Sequence, residues 1–414
     1  MSPATPKSHK RRKTNRSHSS HSSHSAEEHE TEETPRQERR QQHHPSHLPQ
    51  PTTRFYPAAS AASTTSSSHE DTSSLASGQS SPSKMFSVLA IQPKGISKKL
   101  VDTSDPDMPV ALVRFVTKME RIGKPLGVVP VCFEPEISRL QETYPPFLSF
   151  DPTVYKTCTT KDCPGDCSSC SSTYTLDGIL DMVAYARSCF NMEMDEAGWN
   201  NLVHTPLLMA AIGSIRTNSL VGLVPCTSAR IVPGYRIDNI PGKKVDYVLA
   251  LEPRNDPVDG IQAESTLLGL RRAWHDAAAN HTEFIPIASR PVAASIETKR
   301  DDGHTQKAAL QMGIWQTGQW KFLLDKAGPD ALEELPFLPG IVVHGHRWCF
   351  VATTYTNGKT TLWTETEFGK TSTPLGTFQA IEGLREINAW AANVFWPWYK
   401  THVLKMPIVT PSQT

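Results

Sequence analysis

Glu297 and Lys299 stand two residues apart in the stretch Val292 to Lys299, whose alternation predicts a β-strand. Ser295, Glu297 and Lys299 share one face of that strand; Val292, Ala294 and Ile296 share the other. A carboxylate and an ammonium therefore project together. Such a pair is costly to shelter unless something uses it, and a divalent cation is the usual user. The plain alternative is an edge strand whose polar face is simply wet. A second acid lies upstream: Asp246 interrupts a strand predicted over Lys244 to Leu251, opposite an apolar face of Val245, Tyr247, Leu249 and Leu251. A lone Asp is unfavourable in such a strand, which marks it for a specific role. Downstream, a turn at Asp301, Asp302 and Gly303 leads into a helix from near Thr305, with Gln311 and Trp315 one turn apart on one face. Glu196 belongs to a helical segment with Trp199, Asn200 and Val203 on one face. It either points into a cleft or is a solvated acid of a first helical turn, where acids are favoured.

The elements that must position these residues begin well into the 414-residue chain. Residues 1–85 are rich in Ser, His, Thr, Pro, Gln and charge, with too few apolar side chains to offset chain entropy, and read as a disordered tail. Eight of the sixteen histidines fall in the first 50 residues. They read as low-complexity sequence, although such a tract can bind metal weakly. Lys10, Arg11, Arg12 and Lys13 form a basic cluster of the kind that import receptors read, which points weakly to a nuclear rather than cytoplasmic location. No apolar run spans a bilayer and the N-terminus is no signal peptide, so no membrane partner is expected. Lys plus Arg and Asp plus Glu both number 42, so bulk charge does not announce a nucleic-acid binder. A local metal site recruits phosphate without it.

Residues 86–195 read as a helical extension, with helices over Val110 to Met119, Glu134 to Thr143 and Leu176 to Cys189 and a buried extended piece over Leu126 to Phe133. Cys158, Cys163, Cys167 and Cys170 cluster there as C-x4-C-x3-C-x2-C. That is not the paired C-x2-C spacing of common zinc modules, so a loop of free thiols leads and a structural Zn2+ site is the lesser alternative. Residues 196–405 hold the acids and read as the core, followed by a short tail over residues 406–414. Within the core, Thr205-Pro206 is expected to cap and restart a helix, and Arg230 to Arg236 to pair with the Asp246 strand. A helix is expected over Gln262 to Ala278. Gly340 to Thr354 and Thr360 to Thr366 read as a hairpin across Asn357-Gly358. A last helix over Phe378 to Val394 ends in the aromatic run Phe395 to Tyr399, read as core rather than as a base-stacking platform.

The order is a helix with Glu196, a strand with Asp246, a strand with Glu297 and Lys299, and a helix with Gln311. It resembles the PD-(D/E)XK nuclease superfamily, and more closely the fungal group of PD-(D/E)XK nuclease-like domain proteins. The strings that carry this are EAGWNNLVHTPLL, KKVDYVLAL, RPVAASIETKR, QMGIWQ and the ending from STPLGTFQ to FWPWY, over roughly residues 105 to 405. The resemblance implies an α/β, restriction-endonuclease-like fold, a mixed central sheet flanked by helices. It implies Asp246 and Glu297 as ligands of Mg2+ or Mn2+, Lys299 beside the attacking water, Glu196 as a further acid, and Gln311 on a helix similar to a Q-x3-Y element, with Trp315 in place of Tyr. The implied activity is hydrolysis of phosphodiester bonds, with DNA as the expected partner. Mg2+ neutralises the charge around such a bond while keeping several of its waters, so two or three carboxylates suffice. Three departures stand beside this: Val245 replaces the Pro before the first acid, 51 positions separate Asp246 from Glu297, and Trp315 lacks the phenol. Together they allow the alternative of an inactive nuclease fold that binds nucleic acid or acts as a nuclear interaction module.

Overall fold

The computed structural model describes residues 81–156, 174–213, 218–300 and 305–407. The basic cluster, the four clustered cysteines, the turn at residues 301–304 and most of both expected tails lie outside the described residues. A helix, α1 (Pro82–Ile91), begins inside the stretch assigned to the N-terminal tail. It is started by Ser81, whose side chain accepts from Lys84 N, and by Pro82 in its first turn.

Seven strands form one mixed sheet: β1 (Ile96–Leu100), β4 (Val221–Pro225), β5 (Tyr247–Leu251), β6 (Val292–Lys299), β7 (Leu338–His344), β8 (Arg347–Thr356) and β9 (Lys359–Lys370), in the order β1-β9-β8-β7-β6-β5-β4. A separate ribbon joins β2 (Val129–Pro130) to β3 (Tyr155–Lys156). The pairs β1/β9 and β6/β7 are parallel and the others antiparallel. Because β1 extends the main sheet, the first part of the expected extension is continuous with the core.

The strand carrying Glu297 and Lys299 lies between β5 and β7, and all eight of its residues are buried. The wetted edge strand is therefore excluded. Helices cover both faces of β6. On one, α8 (Thr305–Ala327) places Trp315, whose Nε1 donates to Ser295 Oγ at 3.0 Å. On the other lies a continuous helical run: α5 (Glu196–Trp199), a π-turn (Asn200–His204) and α6 (Thr205–Ile212). Its Asn200 meets the Thr298 hydroxyl at 2.8 Å. Ser295 and Thr298, three apart on a strand, point to opposite sides.

The helices α2 (Val110–Ile122), α3 (Glu134–Leu140) and α4 (Leu176–Asn191) form close to their expected bounds. The helix inserted before the Glu297 strand, α7, runs over Gly260–Ala273, stopping short of Ala278. After α8 and the short α9 (Pro329–Glu333), the last helix begins at Pro374 as α10 (Pro374–Trp390), passes a second π-turn (Ala391–Phe395) and ends as α11 (Trp396–His402). Phe395, Trp396, Trp398 and Tyr399 are buried, so the aromatic run is core.

Three expectations need correction. Residues 230–236 form no strand: Ile231 makes one isolated bridge to Thr282, and Pro233–Tyr235 is a 3-10 turn that the Pro-Gly pair favours. The partner of β5 is instead β4, a short VGLVP whose Gly and Pro hide its strand character. Residues 340–354 are two strands, not one, folded at Gly345 with φ 51°. The Asn357-Gly358 turn does join β8 to β9, with φ 52° and 82°, as a two-residue hairpin requires. Finally, Thr205 is no cap: the helix runs through it, and its hydroxyl lies 2.8 Å from Tyr247 Oη on β5.

Candidate active site

Asp246 immediately precedes β5. Tyr247 pairs with Ile296, and Asp246 N also donates to Ile296 O at 3.0 Å, so the register slips by one residue where Asp246 meets β6. The slip leaves Asp246 beside Glu297, close enough for its charge to act on that carboxyl. Asp246 Oδ2 accepts from Thr298 N at 2.8 Å and lies 2.9 Å from Thr298 Oγ1. Two acids 51 positions apart in the chain are brought together by one strand pairing.

Lys299 Nζ joins the acids of this region. It donates to Glu297 Oε1, to Glu196 Oε2 at 3.2 Å and to the Thr298 carbonyl at 2.7 Å. The Lys299 and Glu297 side chains are 10% and 1% exposed, whereas that of Glu196 is 40% exposed. Glu196 therefore forms the solvent-facing side of a buried ion pair. Burial, reinforced by the charge of Asp246, pushes Glu297 well above the usual carboxylate range, against the opposing pull of Lys299. Burial alone would lower Lys299, but the charge and hydrogen bond of Glu297, with Glu196 and Asp246 behind them, raise it. Cys226, next to both acids, has its thiol pushed up by burial first and then by the charges of Asp246 and Glu297.

These residues fit a divalent cation. Glu297 Oε2 is buried with no hydrogen-bond partner, and a carboxylate raised by a neighbouring carboxylate is what an added positive charge would relieve. Among the described residues no group of three or more His, Cys, Asp and Glu is placed to hold a metal by itself. Two carboxylates suit an ion that keeps most of its own water, and Mg2+ is such an ion.

Gln311 reaches the same region from the opposite face. Its Nε2 donates to Lys244 O at 3.3 Å, two residues before Asp246, while Oε1 is buried without a partner. Trp315 is buried and tied to Ser295, so the residue that stands where the motif has Tyr supports the strand from beneath.

The structure adds two residues that the sequence reading left without a role, Asn200 and His204. With Glu196 they follow one another at four-residue intervals along the helical run, and the three meet Lys299, Thr298 and the Gly345 carbonyl in turn. The face shared by Glu196 and Asn200 was visible in the sequence; its target, and the part of His204, were not. His204 is wholly buried, stacked on Trp199 at 5.6 Å and edge-on to Trp348 at 5.6 Å. Burial pushes its pKa down to about 4, so the ring is neutral.

With this geometry in place, the comparisons with known proteins decide the family. A family model described as PD-(D/E)XK nuclease superfamily matches residues 146–396, more than half of the 414-residue chain. The chain belongs to the PD-(D/E)XK nuclease superfamily. The match takes in the helical run, both acid-bearing strands and α8, and so the whole candidate site of this superfamily member. No curated protein and no solved structure matches the chain significantly.

Proposed function

We propose that this superfamily member is a Mg2+-dependent nuclease that hydrolyses phosphodiester bonds of DNA, with Mn2+ able to substitute. The observation that carries this reading is Glu297: buried, unpartnered at Oε2, under the charge of Asp246 and bonded to Lys299. Asp246 and Glu297 would hold the cation, which supplies charge neutralisation at the phosphate and polarisation of the phosphoryl oxygen. Lys299, raised and therefore protonated, would orient the attacking water and counter charge that develops on the phosphate. Glu196 holds that ammonium from the solvent side, and Gln311 steadies the chain just before Asp246. The basic cluster at residues 10–13 serves in this reading as a nuclear address on the N-terminal tail.

The test is cleavage of single- and double-stranded DNA and RNA during a Mg2+ or Mn2+ titration. Glu297→Ala and Lys299→Ala are each expected to lose at least about 100-fold in rate while the protein stays folded. Wild type that cuts none of these substrates with either ion would sink the reading. A second reading, nucleic-acid binding without turnover, draws on the small ligand set of two carboxylates. It requires salt-dependent binding that Glu297→Ala does not weaken.

A further inference from the structure

Beside the ion pair runs a second set of contacts, in which the Asn200 side-chain oxygen and the Thr298 hydroxyl face more acceptors than they have protons for. Thr298 Oγ1 lies 2.8 Å from Asn200 Oδ1 and 2.9 Å from Asp246 Oδ2, yet a hydroxyl has one proton to donate. His204 Nδ1 lies 2.9 Å from the same Asn200 oxygen, and its Nε2 lies 2.9 Å from the Gly345 carbonyl. A carbonyl can only accept, so Nε2 carries a proton. Donation from both nitrogens would need a charged imidazolium in a site with no exposed surface.

A half-turn of the Asn200 carboxamide exchanges its oxygen and nitrogen and satisfies every contact at once. The amide then donates to His204 Nδ1 and to Thr298 Oγ1, freeing the hydroxyl proton for Asp246 Oδ2. His204 donates through Nε2 to Gly345 O, and Gly345 N donates to Lys299 O at 2.8 Å. The chain of bonds thus starts at Asp246 and ends on the main chain of Lys299, joining two of the candidate site's residues through the helical run. The π-turn supplies its geometry, for Asn200 and His204 are its first and last residues.

We propose that Asn200, His204 and Thr298 are positioning residues, a hydrogen-bonded relay that fixes the Asp246 carboxylate in the orientation a divalent cation needs. The inference rests on the reading that Asp246 and Glu297 hold such a cation. Thr298 is the member that touches Asp246, through both its amide and its hydroxyl. Its neighbours in sequence are Glu297 and Lys299, so the strand presents the acid, the positioning group and the ammonium from three successive residues.

Two measurements on the full chain test it. In metal-free protein near neutral pH, the 15N shifts of the ring are expected to show His204 as the neutral Nε2–H tautomer. A doubly protonated ring or the Nδ1–H tautomer overturns the relay, whatever the metal does. Mn2+ binding, followed by electron paramagnetic resonance of the free ion, is expected to weaken by about 10-fold or more in Thr298→Val, with Thr298→Ser restoring most of it. If the valine variant does not fold, Asn200→Asp carries the same expectation, because it replaces the donor by a second acceptor. Unchanged Mn2+ affinity in a folded variant overturns the positioning role and leaves the cation site standing. A wild-type chain that binds no Mn2+ removes the cation reading, and the relay's purpose with it.

Discussion

At Glu297 opposing tendencies meet: burial and the charge of Asp246 favour the protonated acid, Lys299 favours the carboxylate, and the first two win. A fold that places an unpartnered carboxylate oxygen in an interior strand accepts a cost that a bound cation would remove. The acids could be read from the sequence because strand periodicity exposes a misplaced charge. His204 and Thr298 could not: a His on a helix and a Thr on a strand are ordinary residues until their partners are known. Buried imidazoles also set an acid limit on stability. His204 and His281 are wholly buried, and desolvation pushes them down to about 4 and about 3. Neither nitrogen of His281 has a hydrogen-bond partner. A His with a lowered folded pKa takes up its proton in the unfolded chain first. Stability from these two residues is therefore intact above about pH 6.5 and is lost as pH falls toward their folded values, by about 1.4 kcal/mol per unit per group. His281→Leu is expected to flatten the fall in urea-unfolding free energy between about pH 6 and 4. The same slope in the variant would refute this account.

Both π-turns have the same local cause. Thr205 N bonds to Asn200 O and Trp396 N to Ala391 O, each five residues back, and each is followed at once by a proline, Pro206 or Pro397. Proline has no N–H for the bond four residues back and its ring crowds that carbonyl, so one wider turn before it relieves the clash. The sequence rule that proline starts a helix suggested a cap and a break at Thr205. In the tertiary structure the helix continues because Tyr247 takes the Thr205 hydroxyl and the core packs along the run. Pro206→Ala is expected to let the turn tighten, rotating Glu196 and Asn200 away from Lys299 and Thr298. Circular dichroism and melting temperature should show no loss of helix or stability, while metal-dependent cleavage falls by about 100-fold. Full activity with an unwidened turn would show that the π geometry is incidental.

On the scale of the molecule, the site depends on β6 lying inside the sheet, and that depends on strands far apart in the chain. β1 closes one edge by pairing with β9, and Ile96 of β1 is wholly buried, with a Cβ placed on Gly313 of α8 falling 3.4 Å from its Cγ2. A chain starting at Ser81 is expected to melt like the full-length protein. One starting at Asp102 lacks β1, bares the β9 edge and is expected to aggregate by size-exclusion chromatography. Soluble, monomeric behaviour of the shorter chain would contradict this. The sequence by itself determined most of the helices and the acid-bearing strand β6, and it marked Asp246, Glu297 and Lys299, because strand periodicity exposes a charge out of place. Only the tertiary structure decided that Glu196 meets Lys299 and that Asn200, His204 and Thr298 join Asp246, because those contacts run between elements far apart in the chain.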